Sequence, residues 1–220
     1  MNAAPVTVMP ILATPLGIAT IPESMPLNSA LRELFAQRMA ADARAQQSPL
    51  RYISAETLME WQEPPVRRLS EGIIDAVYSL VGSVSDLTEA QLRSFKLETR
   101  AWFTVVRTSG SVPAASYPLT SWCVIYCVTA PPPASDRADS GVVRLYESRL
   151  GTTFQDATSA VMRIPYSSSH CAWRPEPGQM AIFPASLTHE VALLRAAGEL
   201  VLVTARLRFT APGQQGFARW

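Results

Sequence analysis

The spacing of the apolar residues changes once, near Thr99, and that change limits what the chain can fold into. Before it, hydrophobic residues recur at helical spacing. Leu31, Leu34, Phe35 and Met39 mark a helix within 27–47 with Asn28 as its N-cap. Val66, Leu69, Ile73, Val77 and Leu80 form the stripe of a second helix over 66–81, started by Pro64 and Pro65 and stopped at Gly82. A shorter helix is expected around 87–95. After Thr99, β-branched and aromatic runs alternate with Gly, Pro, Ser and Asp, which predicts strands over 101–107, 121–128, 141–147, 179–183 and 200–209. Residues 130–140 carry Pro131, Pro132 and Pro133 in succession, lack ladder donors and read as a loop. Many short strands after a helical segment predict a mainly β fold with flanking helices. The expected architecture is a double-sheet jelly roll over 99–220, with the helical segment 1–98 packed on it as part of one structural domain.

At 24.0 kDa the chain can bury roughly 70% of its unfolded surface. Its net charge is +1, and all its basic residues except Lys96 are arginines, without a basic run. That balance argues against nucleic acid as a partner. No segment approaches the ~20 unbroken apolar residues of a membrane span. Pro5, Pro10 and Pro15 interrupt the apolar first twenty residues and no basic start precedes them, so no secretory signal is expected and a cytoplasmic address follows. A small-molecule substrate is the expected partner, and a homodimer is left open. Cys123, Cys127 and Cys171 lack metal-ligand spacing. On one strand Cys123 and Cys127 would lie about 13 Å apart, too far for a disulfide, so buried free thiols are expected. Cys123, nearest the presumed pocket, keeps a reactive role open.

Only two histidines occur, His170 and His189. The second sits in Phe183-Pro184-Ala185-Ser186-Leu187-Thr188-His189-Glu190-Val191, preceded by Arg174-Pro175-Glu176-Pro177-Gly178. Together with Ile11-Leu12-Ala13-Thr14-Pro15-Leu16, Trp102, the run Trp122 to Cys127 and Gly141-Val142-Val143-Arg144-Leu145-Tyr146-Glu147-Ser148-Arg149, this order resembles a small bacterial family of iron(II)/2-oxoglutarate oxygenases. The resemblance covers nearly the whole chain. It implies a double-stranded β-helix, a cupin-like jelly roll, with His189 at the distal iron-ligand position.

The departures from that family bear on function. Aligned on Pro118, its first two metal ligands fall on Ala115 and Tyr117, neither of which is a good iron(II) ligand. A facial triad needs two histidines and a carboxylate, yet no histidine precedes residue 170. The arginine that would grip 2-oxoglutarate falls on Leu200. Arg206 lies on the same strand face but about 20 Å further along, which leaves Arg195, in the preceding turn, as the nearby substitute. If a metal were held at all, His189 with His170 and a carboxylate such as Glu147 or Glu190 would hold it; otherwise His170 closes the turn Ser167-Ser168-Ser169.

Three readings follow. The first is a repurposed, metal-independent enzyme for a redox-neutral isomerisation, cyclisation, elimination or hydrolysis. In it His189 and Tyr117 are catalytic, and Ala115, Cys123, Tyr126, Glu147, Arg149, Arg195 and Arg206 are the expected substrate-binding residues. No cofactor is expected in this case. The second is a non-catalytic protein that binds a ligand or partner. The third is an oxygenase with a displaced iron site, which alone would need iron(II) and 2-oxoglutarate.

Overall fold

The structure is a computed structural model and describes residues 13–133, 139–146 and 170–211. Its frame is two antiparallel sheets. The strands are β1 (Gly17–Thr20), β2 (Arg51–Ile53), β3 (Lys96–Arg107), β4 (Val112–Ala115), β5 (Trp122–Thr129), β6 (Val143–Tyr146), β7 (His170–Trp173), β8 (Gln179–Pro184), β9 (Thr188–Val191) and β10 (Glu199–Thr210). The major sheet runs β1-β8-β5-β10-β3-β2 and the minor sheet β4-β9-β6-β7. From β3 to β10 the chain passes back and forth between the sheets, except that β6 and β7 are paired neighbours in the minor sheet, in the manner of a jelly roll. The expected mainly β architecture with flanking helices is what the structure shows.

Three helices, α1 (Ser24–Ala40), α2 (Pro64–Val84) and α3 (Glu89–Ser94), come from the first hundred residues. Leu31 and Phe35 of α1 and Val66, Leu69, Ile73 and Val77 of α2 are buried in one core with Phe103, Val105, Val124, Tyr126 and Val203 of the major sheet. Two helix boundaries differ from expectation. Asn28 does not cap α1. It lies inside the helix, where its side-chain oxygen accepts a hydrogen bond from the Tyr126 hydroxyl at 2.7 Å. Gly82 does not stop α2, because the position is open, with no atom within 4 Å of a side chain placed there, and two further residues stay helical. Thr88 and Gln91 form a capping box that starts α3.

The segment 1–98 is also not purely helical. β1 and β2 become the two edges of the major sheet, pairing with β8 and β3. Gly178, in the turn before β8, takes φ +91 and lies so close to α1 that a Cβ would fall 2.1 Å from Ser24 Oγ. A side chain there would push the helix off the sheet.

Candidate functional site

Strand alternation divides the major sheet between two environments. Phe103, Val105, Val124, Tyr126, Val203 and Ala205 face the helices. Cys123, Ile125, Cys127, Val106, Phe183, Leu200 and Leu202 face the minor sheet, against Val143, Leu145 and Val191, with Leu187 of the turn before β9. Between the sheets, toward one end, lies a cavity of about 390 Å³. Its wall includes Trp102, Thr104, Ala115, Tyr117, Ile125, His189, Leu202 and Thr204, with Arg51, Ile53 and Glu56 at the β2 side.

His189 stands on β9 with Ala115 of β4 as its cross-strand partner. It is 6% exposed. Its Nδ1 lies 3.0 Å from the Leu187 carbonyl, and since a carbonyl only accepts, Nδ1 carries the proton and Nε2 is the acceptor. Nε2 faces the Cys123 thiol at 4.0 Å. Burial lowers the pKa of the ring, against the smaller opposing effect of the Leu187 bond, so the imidazole is neutral at pH 7. Burial also pushes the Cys123 thiol up, and it stays protonated.

The Tyr117 ring lies 5.5 Å from the His189 ring and 5.7 Å, edge to face, from Trp102. Burial, partly offset by the Arg206 cation, pushes the phenol up to about 12. The Arg206 guanidinium sits 4.8 Å from the Tyr117 ring and 5.4 Å from the Trp102 ring, where ring quadrupoles attract a cation. It also pairs with Glu56, which Arg100 approaches at 4.0 Å.

The predicted site residues therefore separate. His189, Tyr117, Ala115, Cys123 and Arg206 converge on or beside the cavity. Arg206 corrects the expectation: six residues beyond Leu200 puts it at the end of β10 where His189 and Tyr117 lie. Leu200 lines a different cavity of about 270 Å³, with Pro131, Pro132 and Pro133. Arg195 is a second correction, being exposed in the turn after β9, with its backbone N–H donating to Ser140 Oγ, away from His189. Tyr126 is a third, since its even position on β5 turns it into the helix-side core. His170 is exposed on β7 opposite Tyr146, on the outer face of the minor sheet, whereas His189 is on the inner face. The pleat keeps the two imidazoles apart, so they do not share a metal. Glu147 and Arg149 lie outside the described residues.

Sequence reasoning missed Thr104 and Thr204, although alternation along β3 and β10 marks both as facing the minor sheet. It also missed Arg51 and Glu56, for which no signal existed because the three-residue β2 shows no periodicity and Glu56 lies in the turn after it.

The donor set can be tested against an iron(II) triad. One imidazole faces the cavity, and its strand partner is an alanine. The Glu190 carboxylate points to the outer face, accepting from Tyr146 Oη at 2.6 Å and Arg144 Nη1 at 3.0 Å. Glu56 is committed to arginine, and a protonated thiol is not a ligand. Among the described residues no three His, Cys, Asp or Glu side chains are grouped to hold a metal ion. These residues do not fit iron(II).

No family model matches the sequence. No curated protein matches it either. Solved structures do match in shape. A prolyl-4-hydroxylase from Pseudomonas putida aligns over 89% of this chain and 88% of its own at TM-score 0.56 and 11% identity. The non-heme alpha ketoglutarate dependent carbocyclase SnoK from nogalamycin biosynthesis aligns over 92% and 84% at TM-score 0.60 and 9% identity. The alpha ketoglutarate dependent epimerase SnoN, from the same biosynthesis, aligns over 87% and 76% at TM-score 0.52 and 11% identity. Within the described residues no helix is long and apolar enough to cross a membrane. The chain has the double-stranded β-helix fold seen in these 2-oxoglutarate-dependent enzymes.

Proposed function

We propose that the protein is a repurposed oxygenase scaffold that catalyses a metal-independent, redox-neutral reaction on a small carbonyl-bearing metabolite. The observation that carries this reading is the pairing of His189 with Tyr117 on one cavity wall. The neutral imidazole offers Nε2 as a proton acceptor, while the phenol remains a donor across the physiological range. A proton removed from carbon by Nε2 would leave negative charge on the substrate carbonyl oxygen, which the Tyr117 hydroxyl can stabilise or protonate. Returning that proton from His189 to another carbon as the carbonyl re-forms completes an isomerisation; if the enolate carbon first adds to a conjugated double bond of the same molecule, breaking its π bond, the returned proton completes a ring closure, in both cases with no electrons gained or lost. Ring closure and epimerisation are also what the names of SnoK and SnoN state for those alpha ketoglutarate dependent enzymes.

One observation favours the non-catalytic alternative: Nε2 lies 4.0 Å from the buried Cys123 thiol. The two readings separate by incubating the purified protein with candidate carbonyl metabolites, with and without a strong chelator, and following products by mass spectrometry. The expected result is a change with no mass difference, or the gain or loss of water, unaffected by the chelator. His189→Ala lowers its rate about 10²- to 10⁴-fold, and Tyr117→Phe lowers it less. Succinate formed from 2-oxoglutarate would replace this reading with an oxygenase using a displaced iron site. Unchanged turnover in folded His189→Ala would remove the histidine from the mechanism, and no turnover of any candidate would favour a binding protein.

A further inference from the structure

The charges on the cavity wall do not cancel. Two lining residues bear carboxylates: that of Glu190 points to the outer face, where Arg144 holds it, and that of Glu56 is paired with Arg206. His189 is neutral. The remaining charge among the described lining residues is the guanidinium of Arg51. It is half-buried, and it makes one hydrogen bond, from Nη1 to the Ser111 carbonyl at 3.0 Å. A carbonyl oxygen satisfies one donor of the planar fork and neutralises nothing, so most of its N–H groups are left to a ligand.

The position of Arg51 is set by the fold. β2 is the outermost strand of the major sheet, and β4 is the outermost strand of the minor sheet. Tyr52 faces the helices and packs on Phe103, so its neighbours Arg51 and Ile53 face the cavity. The Ser111 carbonyl immediately precedes β4, and the Arg51 side chain therefore crosses the gap between the two sheet edges at the cavity rim. The rest of the wall is largely apolar: Trp102, Val112, Ile125, Val191 and Leu202. This is the pattern of a small-molecule pocket that buries an apolar body and fixes one polar end.

We infer that Arg51 is a ligand-anchoring residue that pairs with an oxyanion, in the first instance a carboxylate, of a small molecule whose apolar part lies between Trp102 and Leu202. Planar guanidinium matches a carboxylate in two parallel hydrogen bonds, and the surrounding low-polarity wall strengthens them. The inference deepens the proposed reading, since a carboxylate held at the β2 rim would orient the substrate toward His189 and Tyr117. It rests on the cavity being a ligand site and does not require turnover.

Full-length protein titrated with phenylacetate, phenylacetamide and phenylphosphonate, followed by protein NMR shifts, tests the assignment. The expected result is that phenylacetate binds about tenfold more tightly than its neutral amide, as a charge-assisted pair implies. Arg51→Gln should abolish that preference with the thermal midpoint little changed, and Arg51→Lys, which keeps the charge without the fork, should retain part of it. His189→Ala should leave the preference intact, so a failed catalytic reading would not disturb this result. Phenylphosphonate binding above phenylacetate would support the same anchor and assign it to a phosphoryl-bearing ligand. Equal binding of acid and amide, binding of neither, or a preference that survives in Arg51→Gln would overturn the assignment.

Discussion

Phe103 and Trp102 are neighbours on β3, yet they belong to different surroundings. Phe103 is fully buried on the helix side, stacked on Phe35 with ring centroids 4.2 Å apart and planes within 3°. Tyr52 and Trp61 close around it at 5.4 and 6.3 Å. Trp102, one residue earlier, meets the Tyr117 ring and the Arg206 guanidinium at the edge of the cavity. The same alternation repeats along β5 and β10, where Tyr126 and Val203 face the helices while Cys123 and Thr204 face the cavity side. The helix side is filled with apolar surface, and its buried polar pair, Tyr126 with Asn28, is mutually satisfied. The cavity side keeps a buried imidazole, thiols, hydroxyls and space. One sheet thus packs the helical layer through one face and lines the cavity through the other, so substitutions on the second face need not disturb the first.

The widest separation between the faces should appear on deleting an aromatic side chain. Phe103→Ala is expected to lower stability by about 3–5 kcal/mol in urea unfolding, because neighbours on three sides cannot collapse into the space. A loss below about 1 kcal/mol would mean that the helical layer does not anchor the sheet, and the contrast would fail.

Tyr126→Phe probes the polar pair in that same core. Removing the hydroxyl leaves the Asn28 oxygen buried without its donor, at an expected loss of about 1–3 kcal/mol. Binding of ligands in the His189 cavity should not change. A ligand effect equal to that of a cavity-wall substitution would place Tyr126 back among the binding residues and break the division by strand parity.

How much of this was legible beforehand follows from the same physics. The strands that carry the major sheet have long runs of β-branched and aromatic residues, and β5, β8 and β10 fall within a residue or two of their expected positions. β1, β2, β4, β7 and β9 have three or four residues each, too short for periodicity to speak. Register decided the site. His189 and Ala115 are 74 positions apart in sequence, and only pairing of β4 with β9 makes them neighbours. Parity along β5 would have assigned Tyr126 to the helix side, since Cys123 and Tyr126 differ by an odd number of positions. A reading along β10 alone places Arg206 far from Leu200 and says nothing of its distance to His189, whose place across the barrel depends on how the two sheets stack.

On the cavity side, a polar-to-apolar exchange should be nearly silent. Thr204 faces the cavity at 8% exposure, and Thr204→Val preserves its shape while removing a hydroxyl that has room beside it. Stability is expected to change by less than about 1 kcal/mol, well below the loss for Tyr126→Phe. A larger loss, with no change in ligand binding, would show that the cavity face is as tightly specified as the helix face.

The smallest effect expected is one of pH. The folded His189 ring titrates below its ordinary value because burial disfavours the imidazolium, while the unfolded chain binds that proton near pH 6.5. Below about pH 6.5 the unfolded state therefore holds more protons than the native state, and stability falls as pH is lowered until the folded ring titrates as well. The titratable groups facing the ring are Cys123, which stays a thiol, and Tyr117, which stays a phenol, with the Arg206 guanidinium on the Tyr117 ring beyond them. His189→Asn keeps a donor toward the Leu187 carbonyl and removes the titration. The difference in unfolding free energy between the wild-type chain and this variant, measured from pH 8 to pH 5, should be flat above about pH 7 and should fall on acidification. Other carboxylates cancel in that difference. A difference that stays flat throughout, or rises toward acid, would mean that His189 is protonated or solvated in the folded state, and the contrast between a dry, neutral imidazole and an ordinary surface histidine would be lost.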